Sequence, residues 1–368
     1  MARKDPEPGI GLALSGGGFR ATLFHLGSLW RLNELGWLPK LTRVTSVSGG
    51  SITAGVLGHH WQKLIFDDSG IATNFDDEIA VPLRDFCKRN IDVSSGIAGL
   101  IRPFRSISQM VANKYRKYLF GDVTLQGLPD SPRFIIYATS LQTGASFRFS
   151  KPYMADYKVG RVDSPEVPLA TAVAASSAFP PVLSPVVLKA DGYKWTRMQG
   201  TDLFDNEKFR SRLYLTDGGV YDNLGLEAIW DRYQTVLVSD AGAPLEMVAK
   251  PPKLWLSQTV RTLGIISEQT RALRKRRLVS DYIADVREGA YWGIASHADD
   301  YRLADAMIKD NKLTGTLKEI RTRLNKFSDE EQGHLINWGY ALTDTAMRKH
   351  VLPEATQPGS WPDPKFPL

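Results

Sequence analysis

The stretch from Gly11 to Gly55, GLALSGGGFRATLFHLGSLWRLNELGWLPKLTRVTSVSGGSITAG, constrains the fold more than any other part of the chain. It contains two small-residue turns, each set between an apolar run of strand length and a helix-like run. The first is Ser15-Gly16-Gly17-Gly18-Phe19-Arg20 and the second is Ser46-Val47-Ser48-Gly49-Gly50-Ser51. Ile10 to Leu14 is a short apolar run ending at the first turn, as a buried strand would. From Thr22 to Leu35 the apolar residues Leu23, Leu26, Leu29, Trp30 and Leu35 fall mostly at three- and four-residue steps, which predicts one face of a helix stopped at Gly36. Val44 to Val47 reads as a second strand and Ile52 to Ile65 as a second helix. Strand–helix–strand–helix is the opening of an α/β fold with parallel strands.

Downstream, Asp76 to Arg89 reads as a helix with acids near its start and bases near its end, as the helix dipole favours. Ile91 to Arg105, rich in Ser, Gly and Pro, reads as a loop or lid. Phe134 to Ser140 and Ser146 to Ser150 read as strands of a hairpin through Gln142-Thr143-Gly144. Leu169 to Ala178 reads as a short helix stopped by Phe179-Pro180-Pro181, and residues 189–212 as an irregular insertion. Leu213 to Thr216 and Thr235 to Ser239 read as strands running into Asp217-Gly218-Gly219 and Asp240-Ala241-Gly242. From about Leu254 the chain turns helical, closing with an amphipathic helix from Glu331 to Val351. No repeat or linker divides it. The expectation is one domain over residues 1–368, with a core at about 9–242 and a helical extension at about 250–352.

The 368 residues are 43% hydrophobic and 23% charged, which permits a sizeable core. A net charge of +6 and a pI of about 9.2 fit a membrane surface or nucleic acid as partner, although many basic proteins bind neither. Cys87 is the single cysteine, so no internal disulfide forms and a reducing compartment is expected. The first residues lack the apolar segment of a secretory signal, and no apolar run approaches the roughly 18–20 residues of a spanning helix. These features predict a cytoplasmic protein whose membrane contact is peripheral, at the inner face. No Cys/His cluster or HExxH pattern is present, so neither metal nor cofactor is expected. Nothing supports nucleic-acid binding beyond the run Arg274-Lys275-Arg276-Arg277, which reads by itself as a solvated helix face. Oligomeric state is not legible.

The chemistry concentrates in the two turns. Ser46-x-Ser48-x-Gly50 has the spacing of a nucleophile elbow, where a serine sits on a sharp strand-to-helix turn and crowding demands small neighbours. It also fits an ordinary Ser/Gly-rich turn. Gly16, Gly17 and Gly18 can present backbone amides to an oxyanion, or cradle a phosphate. No Lys-Ser/Thr follows and GGGFRA does not fit GxGxxG, which weakens the phosphate alternative. Arg20 can place a guanidinium beside such an anion, or lie at a helix surface. A serine nucleophile needs a base. None of the histidines (His25, His59, His60, His297, His334, His350) sits at an obvious strand-end loop, whereas Asp217 does. Flanked by glycines, its carboxylate could approach the serine; alone, Asp-Gly-Gly reads as a turn.

Taken together, SGGGFR, SVSGGS, the block ATAVAASSAFPPV at 170–182 and DGGVYDNLG at 217–225 resemble the patatin-like phospholipase family in order and spacing, over roughly residues 9–242. SGGGFRA is also similar to cytosolic phospholipases of the A class. The resemblance implies a three-layer α/β/α fold with a mainly parallel central sheet. It implies a serine lipid acyl hydrolase with a Ser48–Asp217 dyad and no histidine. It further implies an oxyanion hole of Gly16, Gly17 and Gly18 with Arg20 beside it, and phospholipid or lysophospholipid substrates. Ser46 departs from the glycine more usual there but keeps the position small. The alternatives are a Ser-His-Asp esterase using His297 or His334, and a non-catalytic lipid-binding protein on the same fold. Apolar and basic residues between Ile97 and Tyr118 are candidates for a lid that touches anionic lipid. Regulation by the C-terminal third is a further expectation.

Overall fold

The computed structural model describes residues 6–91, 107–242, 244–352 and 357–368. The opening pattern is present: β1 (Glu7–Leu14) leads into α1 (Gly18–Glu34), and β2 (Arg43–Val47) into α2 (Gly49–His60). Both helices begin several residues before the apolar periodicity does, because glycine and serine carry no periodic signal. There follow α3 (Val81–Cys87), α4 (Ile107–Tyr115), β3 (Arg133–Ser140), β4 (Ser146–Phe149), β5 (Tyr153–Asp156), β6 (Gly160–Asp163) and α5 (Leu169–Ser176). Next come β7 (Val186–Lys189), β8 (Trp195–Thr196), α6 (Lys208–Ser211), β9 (Arg212–Asp217), α7 (Gly219–Asp222) and β10 (Tyr233–Asp240). The C-terminal part contains α8 (Trp255–Ile283), β11 (Glu288–Gly293), α9 (Lys312–Thr316) and α10 (Asp329–His350).

Among the described residues the strands form one sheet with the path β11-β10-β1-β2-β3-β4-β5-β6-β8. From β11 to β3 every pairing is parallel, and from β3 outward every pairing is antiparallel. Side chains of β1 alternate between two buried layers. Leu12 and Leu14 join the large core with α1 and α10, while Ala13 packs with Val236, Val238 and Leu278 of α8 on the opposite face. Burial on both faces is why these strands read as unbroken apolar runs. The result is three layers, α/β/α.

The C-terminal helix is fastened to the opening unit. Gly27 of α1 and Gly339 of α10 face each other so closely that a Cβ on either would overlap the other helix's backbone. Arg31 Nε donates to Asp344 Oδ1 at 2.8 Å inside this contact. α10 starts with a capping box, Ser328 accepting from Glu331 N and Glu331 reaching back to the Ser328 amide.

Three expectations differ from the structure. The stretch expected to be helical throughout after Leu254 contains β11, a parallel edge strand beside β10. Its sequence, EGAYWG, has no β-branched residue and carries two glycines, so no strand signal is visible. Residues 189–212, expected to be irregular, contain β8 and α6, and the short strands β5 and β6 precede them. The π-turn at Asp76–Ala80 precedes α3 where one continuous helix was expected. The lid expected at 91–105 falls almost entirely outside the described residues, as do Leu100, Ile101, Arg102, Phe104 and Arg105 of the lipid-contact expectation. No helix among the described residues is long and apolar enough to cross a membrane.

Candidate active site

β1 and β2 are parallel neighbours with Leu14 opposite Ser46, so the two glycine turns leave the same edge of the sheet side by side. Ser48 follows β2 directly and adopts φ 51°, ψ −119°, a conformation that costs a side-chain-bearing residue about 1–3 kcal/mol. The crowding expected of an elbow is present. A Cβ on Gly50 would strike the carbonyls of Leu14 and Ser15, and one on Gly49 the carbonyl of Gly18. The Ser48 N–H donates to Ser176 Oγ at 2.9 Å, and the Ser48 carbonyl accepts from Ser51 N and Ile52 N to start α2.

Asp217 arrives from the opposite direction. β2 pairs with β3 as far as Val47 opposite Tyr137. β4 occupies the other edge of β3 over residues 136–139. The antiparallel β9 therefore takes the edge that β2 vacates, with Asp217 opposite Ala138. The end of β9 thus meets the end of β2 head-on, and Ser48 and Asp217 come together. The Ser48 side chain lies beside the Asp217 carboxyl, which accepts from Gly219 N at 2.7 Å. Burial pushes the Asp217 carboxyl up to about 7, since the Gly219 amide and the neighbouring Ser48 side chain only partly offset the loss of water. A carboxylate poised near neutral pH is a competent general base. Its backbone is fixed as well: Asp217 N donates to Ala178 O at 3.0 Å, and Thr139 Oγ1 to Asp217 O at 2.8 Å.

The glycine amides are not equivalent. Gly16 N donates to Asn223 O at 3.1 Å, so this amide, expected to face an oxyanion, is already engaged. Gly16 contributes space instead, because a Cβ there would overlap the Asn223 side chain and lie 3.1 Å from Ser48 Cβ. Gly17 at φ 147° and Gly18 at φ 56° adopt backbone that favours glycine, and no acceptor among the described residues takes either amide. They stand at the N-terminus of α1 with its dipole behind them.

Arg20 also differs from expectation. Its Nη1 donates to the carbonyls of Lys318 and Ile320 at 2.9 and 2.8 Å, and its Nη2 to that of Ala241 at 2.8 Å. The guanidinium ties the first turn to the end of β10 and to the segment before α10. Burial lowers its pKa to about 10, with Asp240 acting in the opposite sense. The same C-terminal segment touches Gly18, where a Cβ would overlap the Thr322 carbonyl.

The histidines are all engaged elsewhere. His25 bonds Ser239 Oγ and Ser15 O, and burial lowers its pKa to about 4. His60 pairs with Glu78 and His297 with Asp310. His59, His334 and His350 lie edge-on to Phe120, Phe366 and Tyr301.

Sequence reasoning missed Ser176. Its Oγ accepts from Ser48 N and shares a 2.8 Å hydrogen bond with Ser51 Oγ, and its carbonyl accepts from Gly218 N at 3.1 Å. One residue thus holds both strand ends. The available signal was a serine closing an alanine helix inside a block already singled out. Ser176→Ala leaves the buried Ser48 N–H unpaired, at a cost of about 1–3 kcal/mol. It is expected to lower kcat on a p-nitrophenyl ester by up to about 10²-fold with KM little changed, as the nucleophilic turn loosens. Steady-state kinetics alongside thermal unfolding check this.

Three comparisons complete the picture. The family model of patatin-like phospholipase matches residues 12–230. Comparison with curated protein sequences gives no match. A structure of human GIVD cytosolic phospholipase A2 aligns with TM-score 0.50 at 14% identity, over 92% of this chain and 61% of that one. The same human protein in complex with methyl γ-linolenyl fluorophosphonate and terbium chloride gives TM-score 0.52 at 17% identity, over 92% of this chain and 57% of that one. This chain therefore spans about three-fifths of the length of those human structures. At such identity the likeness concerns the fold.

Proposed function

Because the chain belongs to the patatin-like phospholipase family, we propose that it hydrolyses fatty-acyl esters of phospholipids or lysophospholipids with a Ser48–Asp217 dyad. The observation that carries this reading is the head-on meeting of β2 and β9, which brings Ser48 to the buried Asp217 carboxyl. Ionised Asp217 takes the Ser48 proton as Oγ bonds to the ester carbonyl carbon. The negative charge on the carbonyl oxygen meets the amides of Gly17 and Gly18. Collapse breaks the bond to the alcohol, which leaves with the proton from Asp217. Water then attacks the acyl-serine; Asp217 accepts its proton and returns it to Ser48 as the fatty acid departs. A carboxylate is a weak base for an alcohol, so the oxyanion donors matter greatly; loss of one such donor typically costs about 10²–10³ in rate.

The competing triad would place His297 or His334 beside Ser48. Their contacts to Asp310 and Phe366 favour the dyad. Fatty-acid release from phosphatidylcholine and lysophosphatidylcholine tests the reading. The wild type, His297→Ala and His334→Ala are all expected to be active within about threefold of one another, a difference of less than 1 kcal/mol in barrier. Loss of activity in either histidine variant would establish a triad, and an inactive wild type would remove the hydrolase reading. The proposed setting is the cytoplasmic side of a membrane, contacted peripherally.

A further inference from the structure

We propose that the exposed face of α8 is a docking surface for an anionic lipid bilayer. This inference rests on the lipid-ester reading only for its purpose, not for its geometry.

α8 runs antiparallel to β10, and its level against the sheet is set at two points. Tyr282 OH donates to Val236 O at 2.6 Å, midway along β10. Arg271 Nη1 reaches Asp240 Oδ2 at 2.7 Å and Gly242 O at 2.8 Å, where β10 ends. Residues before Arg271 therefore lie beyond the carboxyl edge of the sheet. Trp255 to Thr270, at about 1.5 Å per residue, extend about 24 Å past it. This is the edge from which both glycine turns leave, because β1, β2 and β10 are parallel. The anchored half also adjoins Asp217. Arg274 Nη1 lies 3.3 Å from Asp222 Oδ2 and its guanidinium sits over Tyr221, both in the α7 turn that follows Asp217 and Gly218.

Beyond the edge there is no sheet for the helix to pack on, yet its side chains are not those of a solvated face. Trp255 and Ile266 on the projecting stretch and Leu273 just past Arg271 are spaced to share one side and are 78%, 58% and 60% exposed. The charge is one-sided and concentrates where the helix meets the sheet edge: residues 247–277 hold eight Lys/Arg and one acid, Glu268, which is itself paired with Arg271, and five of the eight are Arg271 and Arg274 to Arg277. Among the described residues, Arg276 and Arg277 pair with no carboxylate; they contact the Ala272 carbonyl and the Trp230 ring. Exposed tryptophan and aliphatic residues flanked by unneutralised cations are the makeup of a helix that lies in a bilayer interface. A second copy fits less well, since two-fold pairing would set this cationic segment against itself. Nucleic acid would match the charge but leave Ile266 and Leu273 without a partner.

Vesicle co-sedimentation of the full chain tests the proposal, with phosphatidylcholine vesicles compared with phosphatidylcholine–phosphatidylglycerol vesicles. The wild type is expected to bind the anionic vesicles at least about tenfold more tightly. Arg276→Glu/Arg277→Glu should remove that preference. Trp255→Ser/Ile266→Ser/Leu273→Ser should weaken binding to both vesicles by at least about tenfold. Both variants should keep wild-type melting behaviour and wild-type hydrolysis of a soluble p-nitrophenyl ester, losing only hydrolysis of vesicle lipid. Equal wild-type binding to the two vesicles, or unchanged binding by the variants, overturns the proposal. So does a dimer that the triple serine variant dissolves while vesicle binding stays constant, or tighter wild-type binding to duplex DNA than to anionic vesicles. A wild type that binds anionic vesicles but cleaves no soluble ester would sink the hydrolase reading and leave this one standing.

Discussion

Ser48→Ala is expected to lower kcat for ester hydrolysis by about 10⁴–10⁶-fold while the protein stays folded. The loss is large because no neighbouring hydroxyl can replace it. Ser46, Ser51 and Ser176 are fully buried and bonded to one another around the elbow. Ser15, in the adjacent turn, accepts from Ala241 N at 2.8 Å. Among the described residues, the Ser48 hydroxyl is the one placed beside the Asp217 carboxyl, on a turn whose φ of 51° turns it out of the strand. The helix start depends on the Ser48 backbone, which alanine retains, so the melting temperature should move little. Fatty-acid release and circular dichroism of the purified variant check both halves. Substantial residual turnover in a folded Ser48→Ala protein would remove Ser48 from the nucleophile role.

Asp217→Asn should move activity and stability in opposite directions. Without an ionisable base, kcat falls by about 10²–10⁴-fold. In the wild type, kcat/KM should fall about tenfold per pH unit below about 7, because only the ionised carboxylate accepts the serine proton. Stability follows from the same displacement. The folded pKa of about 7 exceeds the usual 3.8, so the neutral carboxyl's favourable contribution is complete below about pH 4 and is lost as pH rises through 7. Above that pH the wild type holds a buried charge that the asparagine variant lacks. Asp217→Asn is thus expected to be more stable than wild type at pH 8, by up to about 4 kcal/mol, and nearly equal to it at pH 4. The asparagine oxygen can still accept from Gly219 N. Urea unfolding at the two pH values measures the difference. A destabilised variant at pH 8 would mean that Asp217 serves the fold rather than a titrating site.

The parallel half of the fold was legible because its physics is local. β1, β2 and β10 are short apolar runs ending at glycines, and α1 and α10 show their periods plainly. What stayed hidden was tertiary. That β9 runs antiparallel, and so brings Asp217 against Ser48, depends on β4 blocking the far edge of β3, which no window of sequence contains. The roles of Gly16 and Arg20 diverge from expectation for a similar reason. Their partners, Asn223 and the carbonyls of Ala241, Lys318 and Ile320, lie two to three hundred residues away. Ser176 was invisible because one hydroxyl in an alanine-rich helix looks like composition until its partners are known. β11 lacked any β-branched residue to mark it.

The most direct measurement is mass spectrometry after treatment with a long-chain alkyl fluorophosphonate. In that reaction serine Oγ bonds to phosphorus and fluoride leaves. The dyad predicts a single phosphonyl adduct on the peptide containing Ser48, formed more slowly as pH drops below about 7 and strongly suppressed in Asp217→Asn. Labelling at another residue, or at Ser48 with a rate indifferent to Asp217→Asn, would contradict it.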